Sequence, residues 1–146
     1  DHDVEPAEGC RGMLDRRAIP YLHWQQKIGR PTPALGEIVH GVADIEQSIR
    51  TIAVTEKGSV PTQPEKCVAL RQYMDRRPAW AIPYITRELF DALRLWEPRI
   101  VVEGVRITAE DYESWRLPVF WYPRGDVLRE IRRSVIALPQ DVRDAA

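Results

Sequence analysis

Apolar positions recur along this chain with two different periods, and the switch between them falls at one place. Ile82, Ile85, Leu89, Leu93 and Trp96 stand three or four residues apart, the spacing of a single buried helical face. Just beyond, Ile100-Val101-Val102 and Val105-Arg106-Ile107-Thr108 form a β-branched run that predicts a strand over 100–108. Glu97-Pro98-Arg99 lies between them. Pro98 has no amide hydrogen and disfavours helical backbone at Glu97, so the helix must end near Trp96. One acid and one arginine are thereby set at a sharp helix-to-strand junction.

The same reading places the other elements. Ile45, Ile49, Ile52 and Ala53 share a helical face, with Asp44 as the N-cap, Gln47 completing a capping-box-like pair and Gly58 ending the unit. Residues 59–66 hold two prolines and predict a loop. Val68 to Met74 predicts a short helix with Leu70, Tyr73 and Met74 turned inward. Pro78 suits a first helical turn, and Pro83 implies either a helix start or a kink over 79–83. Residues 109–114 read as an acidic loop and 117–122 as a second strand, with Pro118 implying an edge or a strand start. Arg124-Gly125-Asp126 reads as a hairpin turn. Over 127–138, Leu128, Ile131, Val135 and Leu138 fit a helix, while the β-branched content and the turn before it favour a third strand. Helices followed by a small antiparallel sheet make an α+β fold, two or three helices on the sheet. The expected organisation is an N-terminal extension over 1–35, an arm or loop rich in aromatics and prolines through about residue 43, one domain over 36–138, and a frayed tail over 139–146.

Composition narrows the chemistry. The chain has 146 residues, 44% apolar and 29% charged, with a net charge of −1. That is about one domain, with no global pull toward nucleic acid or an anionic membrane. No apolar stretch reaches the length that spans a bilayer, and the first residues lack a signal-peptide pattern. Cys10 and Cys67 sit in unlike contexts and are expected as reduced thiols of an intracellular protein. Three histidines, His2, His23 and His40, give no metal-site spacing, so neither metal nor cofactor is expected.

Candidate active groups are few. There is no glycine-rich phosphate loop and no Gly-x-Ser-x-Gly elbow. Cys67, next to Lys66, reads as a buried structural thiol. Glu88 with Asp91, or Glu110 with Asp111 and Glu113, would need an environment-split carboxylate pair to act on a glycoside; clustered on one face or loop they are expected to be solvated. Arg129, Arg132 and Arg133 form a basic cluster that reads as a solvated face or a protein-binding rim rather than a phosphate site. Trp24, Trp80, Trp96, Trp115 and Trp121 read as core or interface anchors. The Glu97-Pro98-Arg99 junction has two readings on the residues alone. Either Glu97 pairs with Arg99 while Arg99 complements the helix dipole, or the two charges, pressed between Trp96 and Ile100, meet a partner.

Asp44-Ile45-Glu46-Gln47-Ser48-Ile49-Arg50, then Lys57-Gly58-Ser59-Val60, Gln63-Pro64-Glu65 and Leu93-Arg94-Leu95-Trp96-Glu97-Pro98-Arg99-Ile100, resembles the GPW/gene-twenty-five-like baseplate wedge family. These are sheath-initiator proteins of contractile phage tails, with relatives in R-type pyocins and type VI secretion baseplates. The resemblance spans roughly residues 36–108. It implies a non-enzymatic α+β protein of the virion tail baseplate, assembled in the host cytoplasm in several copies around a symmetric baseplate. It further implies that Glu97, Pro98 and Arg99 grip the helical core bundle of the wedge proteins. The first sheath ring would add strands to a sheet edge, with Val101, Glu103, Val105 and Ile107 the candidate sheath-facing residues. Implied partners are wedge proteins, the sheath, and hub or tube proteins through the N-terminal extension, with no nucleic acid and no membrane. Where the family usually reads Arg-Pro-Glu-aromatic-Gly, this chain has Gln63-Pro64-Glu65-Lys66-Cys67. Two rival classes are a muramidase-like hydrolase using Glu88 or Glu110, and a nucleic-acid binder centred on Arg129, Arg132 and Arg133.

Overall fold

A computed structural model of the chain describes residues 23–29, 36–111 and 114–139. The fold is α+β, as the pattern of periods predicts. The chain divides into two compact units, Asp1–Asp44 and Ile45–Ala146.

In the first unit, β1 (Trp24–Gln26) pairs antiparallel with β2 (Ile38–His40), Trp24 opposite His40. Lys27 extends the ladder, its N–H donating to the Glu37 carbonyl at 3.0 Å. The arm expected around these residues is therefore partly a two-stranded ladder. β2 runs straight into α1 (Gly41–Val54), and Gly41 makes that change of direction at φ +63°. Asp44, expected as the N-cap, instead lies within the first helical turn, because the glycine starts the helix three residues earlier. Its carboxylate still sits at the favourable positive end of the helix.

In the second unit, Ile49, Ile52 and Ala53 of α1 are buried, as their spacing requires. The predicted helix over 68–74 shortens to α2 (Arg71–Met74). Val68 is withheld from it by the loop: Lys57 N–H donates to the Val68 carbonyl at 2.8 Å, and Val68 N–H to the Thr55 carbonyl at 3.4 Å. Leu70 is buried, whereas Tyr73 and Met74 stay part-exposed. Cys67, just before, is buried with φ +75°, in the left-handed region that favours glycine.

The long helix α3 (Pro78–Trp96) opens with Pro78 in its first turn and ends at Trp96, where Pro98 requires it to end. It continues through Pro83, which is exposed and lacks the N–H that would otherwise donate to the Ala79 carbonyl. Ala81, Ile85, Leu89, Ala92 and Leu93 are buried and face the sheet that follows; Ile82 and Trp96, predicted on the same stripe, lie at its half-buried margins.

That sheet contains β3 (Ile100–Val105), β4 (Thr108–Asp111), β5 (Ser114–Pro123) and β6 (Arg132–Pro139), all antiparallel. β5 is central. On one side it pairs with β3 and then β4, on the other with β6 along most of its length. Residues 117–122 are thus not an edge, and Pro118 stands in the middle of an interior strand, contrary to expectation. The register explains how it is tolerated. Val105 faces Val119 and Thr108 faces Arg116, so β3 and β4 are one strand in continuous register, interrupted at Arg106-Ile107. Arg106 N–H donates to the Pro118 carbonyl at 3.0 Å. In an antiparallel ladder the N–H and C=O of one residue point to the same side. The donor that Pro118 lacks would therefore have pointed at this interruption, and the ladder breaks where the proline cannot close it. Ile107, predicted inside the strand, falls in the gap.

A bulge adds a second irregularity. Val102 faces Trp121 while Gly104 faces Phe120, so Glu103 is the extra residue. Its insertion shifts the alternation by one, and Ile100, Val102 and Val105 all turn inward. They meet Trp115, Leu117, Val119 and Trp121 of β5 and Ile136 and Leu138 of β6 in the core. The acidic loop expected over 109–114 is mostly strand, since β4 runs to Asp111 and β5 begins at Ser114. The expected hairpin turn at 124–126 grows into a longer loop, and the third strand starts at Arg132 rather than near 127. Asp126 organises that loop by accepting from the N–H groups of Leu128 (3.1 Å) and Glu130 (3.4 Å).

Candidate functional site

The corner after α3 is built from backbone outward. Glu97 N–H donates to the Leu93 carbonyl at 3.0 Å and closes the helix, while Ile100 N–H returns to the Glu97 carbonyl at 3.3 Å. Arg124 N–H, at the end of β5, holds the Arg99 carbonyl at 2.7 Å. Glu97 and Arg99 therefore stand on a turn fixed at both ends, with Pro98 exposed between them.

The side chains lock to each other. Arg99 donates from Nε to Glu97 Oε1 at 2.6 Å and from Nη2 to Glu97 Oε2 at 2.8 Å, a two-point fork. Ser48 of α1 donates its hydroxyl to Glu97 Oε2 at 2.5 Å. Glu97 is only 3% exposed, and the Arg99 side chain is 26% exposed. Burial alone pushes the Glu97 carboxyl up, but hydrogen bonds from Arg99 and Ser48, together with the Arg99 charge, outweigh it and hold the group below the usual carboxylate range. The carboxylate is a charged structural post. Beside it, Lys66 lies 6.0 Å from the Trp96 ring centroid and brings the 55–68 loop to the helix end.

Of the two sequence readings of this corner, the pairing of Glu97 with Arg99 is present within the chain. The solvent-exposed surface of the triplet is Pro98 and the outer part of Arg99. Ser48 was missed as a member. It lies 49 residues away in sequence and carried only the signal of belonging to the Asp44–Arg50 block.

The other candidates are dispersed. Val101 is half-buried, Glu103 is exposed at the bulge, Val105 is buried in the core and Ile107 is half-buried in the gap between strands. Glu88 is partly exposed on α3, and Asp91 makes an exposed ion pair with Arg87 at 3.7 Å. The side chains of Glu110 and Asp111, all of Glu113, and Cys10 lie outside the described residues. Arg129, Arg132 and Arg133 do not form one cluster. Arg129 lies in the loop with φ +49°, Arg133 is exposed opposite Phe120, and Arg132 stands opposite the buried Trp121 with its Nε buried and unbonded. Burial and a countervailing Lys66 charge act on the Cys67 thiol; burial prevails and raises its pKa, which disfavours a reactive thiolate. Among the described residues no three His, Cys, Asp or Glu side chains gather as a metal site, and no helix is long and apolar enough to cross a membrane. Trp115 and Trp121 are core residues, while Trp24 and Trp80 are exposed.

No family model and no curated protein matches the chain. Solved structures that share its fold include the following two. One is a Geobacter sulfurreducens protein described as a candidate tail lysozyme, with a TM-score of 0.60 and 22% identity over 68% of this chain and 90% of that one. The other is a chain of the baseplate complex from the type VI secretion system, with a TM-score of 0.55 and 14% identity over 69% of this chain and 94% of that one. At these identities the likeness establishes the α+β fold.

Proposed function

We propose that this chain is a structural component of a contractile-tail baseplate, held to a helical neighbour through Pro98 and Arg99 and able to accept a strand from the sheath. The observation that carries this reading is the Ser48–Glu97–Arg99 lock. It fixes an exposed proline and a part-exposed guanidinium on a corner braced by two helices and a strand, and it does so with a carboxylate kept charged. Such a corner presents a rigid contact at little entropic cost. The shared fold with a baseplate chain supports the same reading.

Strand addition needs an open edge of sufficient length. The β3–β4 edge, which carries Val101, Glu103 and Val105, is broken by the bulge at Glu103 and by the gap at Arg106-Ile107. β6 runs eight residues in unbroken register and, among the described residues, pairs only with β5. β6 is therefore the edge we assign to the sheath, in place of the β3 residues expected from sequence.

A hydrolase would need a carboxyl held protonated in an apolar pocket. Glu97, the buried glutamate of the described residues, is shifted the opposite way. The test is genetic complementation in a tail-producing strain, read by electron microscopy. Loss of the gene should leave tails without assembled sheath, and Arg99→Lys, which keeps the charge and loses the fork, should restore them only in part. Normal sheathed tails without the gene, or clearing of peptidoglycan by the purified protein, would overturn the proposal.

A further inference from the structure

At the far end of α3 from Glu97, about 25 Å along the helix axis, three aromatic rings meet on the surface. The Trp80 and Tyr84 centroids are 4.4 Å apart, Tyr73 and Tyr84 stack at 5.7 Å with an interplanar angle of 15°, and Tyr73 lies 6.1 Å from Trp80. Arg76 sits 5.5 Å over the Trp80 ring. Trp80 remains 46% exposed and Tyr84 45%. None of the three rings has a side-chain hydrogen bond to another described residue. Tryptophan, tyrosine and arginine are the residues that dominate protein interfaces, because large rigid rings desolvate much area while losing little rotamer entropy.

The charge around the rings has one prevailing sign. Arg71, Arg76 and Arg77 are exposed, and none forms an ion pair with a carboxylate among the described residues. α3 begins here with no acidic residue in its first turn and no side-chain cap, so the positive end of its dipole adds to the three guanidinium groups. Asp75 is the acid nearest in sequence.

We infer that the Tyr73–Trp80–Tyr84 cluster, ringed by Arg71, Arg76 and Arg77, is a protein-docking surface for an acidic segment carrying aliphatic side chains. Aliphatic groups pack against the ring edges and against the exposed Pro78 and Pro83, while carboxylates meet the guanidinium groups and the helix start. A nucleic acid strand fits less well. Base stacking needs a free ring face, and here each ring lies close to the other two while Arg76 sits over Trp80. This inference does not depend on the baseplate reading.

The test follows the Trp80 indole N–H by nuclear magnetic resonance in the full chain, assigned with Trp80→Phe. The probes are an acetylated, amidated peptide repeating Glu-Leu-Glu-Glu-Leu, the same peptide with serine for leucine, and single-stranded oligothymidylate. The leucine peptide should shift the Trp80 signal, with affinity falling at least about tenfold for the serine peptide and at least about tenfold in Arg76→Glu/Arg77→Glu. These positions are exposed, so the double variant should keep the wild-type circular dichroism spectrum; if it does not, Tyr84→Ala, which is also exposed and keeps the Trp80 reporter, serves as the second variant, with the same loss expected. An unmoved Trp80 signal, equal affinity for the leucine and serine peptides, or tighter binding of oligothymidylate would overturn the inference.

Discussion

Replacing Arg99 with alanine removes the fork that neutralises a buried carboxylate, and the structure sets the size of the effect. Glu97 is 3% exposed and would keep only the Ser48 hydroxyl of its side-chain partners. Breaking a fully buried ion pair on one side costs about 3–5 kcal/mol. Because the Arg99 side chain is 26% exposed, water screens part of the pair, and the lower end, about 3 kcal/mol at pH 7, is expected. The pH dependence identifies the cause. In the wild type the folded-state pKa of Glu97 is depressed, so its stabilising contribution is fully present above the unfolded value of about 4.3 and is lost only as pH falls through the lower folded value. In Arg99→Ala, burial is no longer outweighed by the guanidinium and the folded pKa should rise above the unfolded one. The variant then gains stability as pH falls from 7 toward about 4.5, because its folded state takes up the proton first, at up to about 1.4 kcal/mol per pH unit. Urea denaturation at several pH values measures both stabilities. A gap of about 3 kcal/mol at pH 7 that narrows on acidification is the expected result. A gap below about 0.5 kcal/mol, as for a surface pair, or one unchanged with pH, would mean that Arg99 does not neutralise a buried Glu97 carboxylate.

Three further outcomes follow from the same geometry. Ser48→Ala removes one hydrogen bond to a charged acceptor and should cost about 1.5–3 kcal/mol in urea unfolding, with most of the loss at neutral pH, where Glu97 is ionised. At Cys67, with φ +75°, Cys67→Gly should be more stable than Cys67→Ala by about 1 kcal/mol in thermal unfolding, the reverse of the usual order, since alanine keeps the left-handed strain. Gly104→Val should raise stability by up to about 1 kcal/mol: nothing lies within 4 Å of the added Cβ, and the position is in a strand where valine is favoured. A loss at Gly104 would mean that its bulged backbone needs glycine.

Much of this fold was legible because local chemistry and tertiary packing agree. Pro98 fixes where α3 ends, and the stripe of Ile85, Leu89 and Leu93 fixes which face it buries. The misreadings came where a residue's role depends on distant chain. Pro118 looked like an edge signal, since sequence cannot show that its missing donor faces the gap at Arg106-Ile107. Glu103 inserts an extra residue and turns Val105, one of the sheath-facing candidates, into the core. At the candidate site, the triplet stood out through Pro98, but its lock did not. Ser48 reaches Glu97 only because α1 and the end of α3 meet in the folded chain. The family resemblance placed both blocks side by side without giving that reason. Cys67, where the resembling family carries glycine, was read for its thiol, while its backbone conformation is the more telling property.

On the proposed function, Pro98 and Arg99 touch a helical neighbour in an assembled tail. A photo-crosslinking amino acid at the exposed position 98, introduced in the tail-producing strain, tests it most directly. Irradiated particles should yield one dominant crosslinked product, in which mass spectrometry places the adduct on a helix of another baseplate protein. Particles that contain the protein but give no crosslink from position 98, or give one only to a sheath strand, would show that this corner does not hold a helical neighbour.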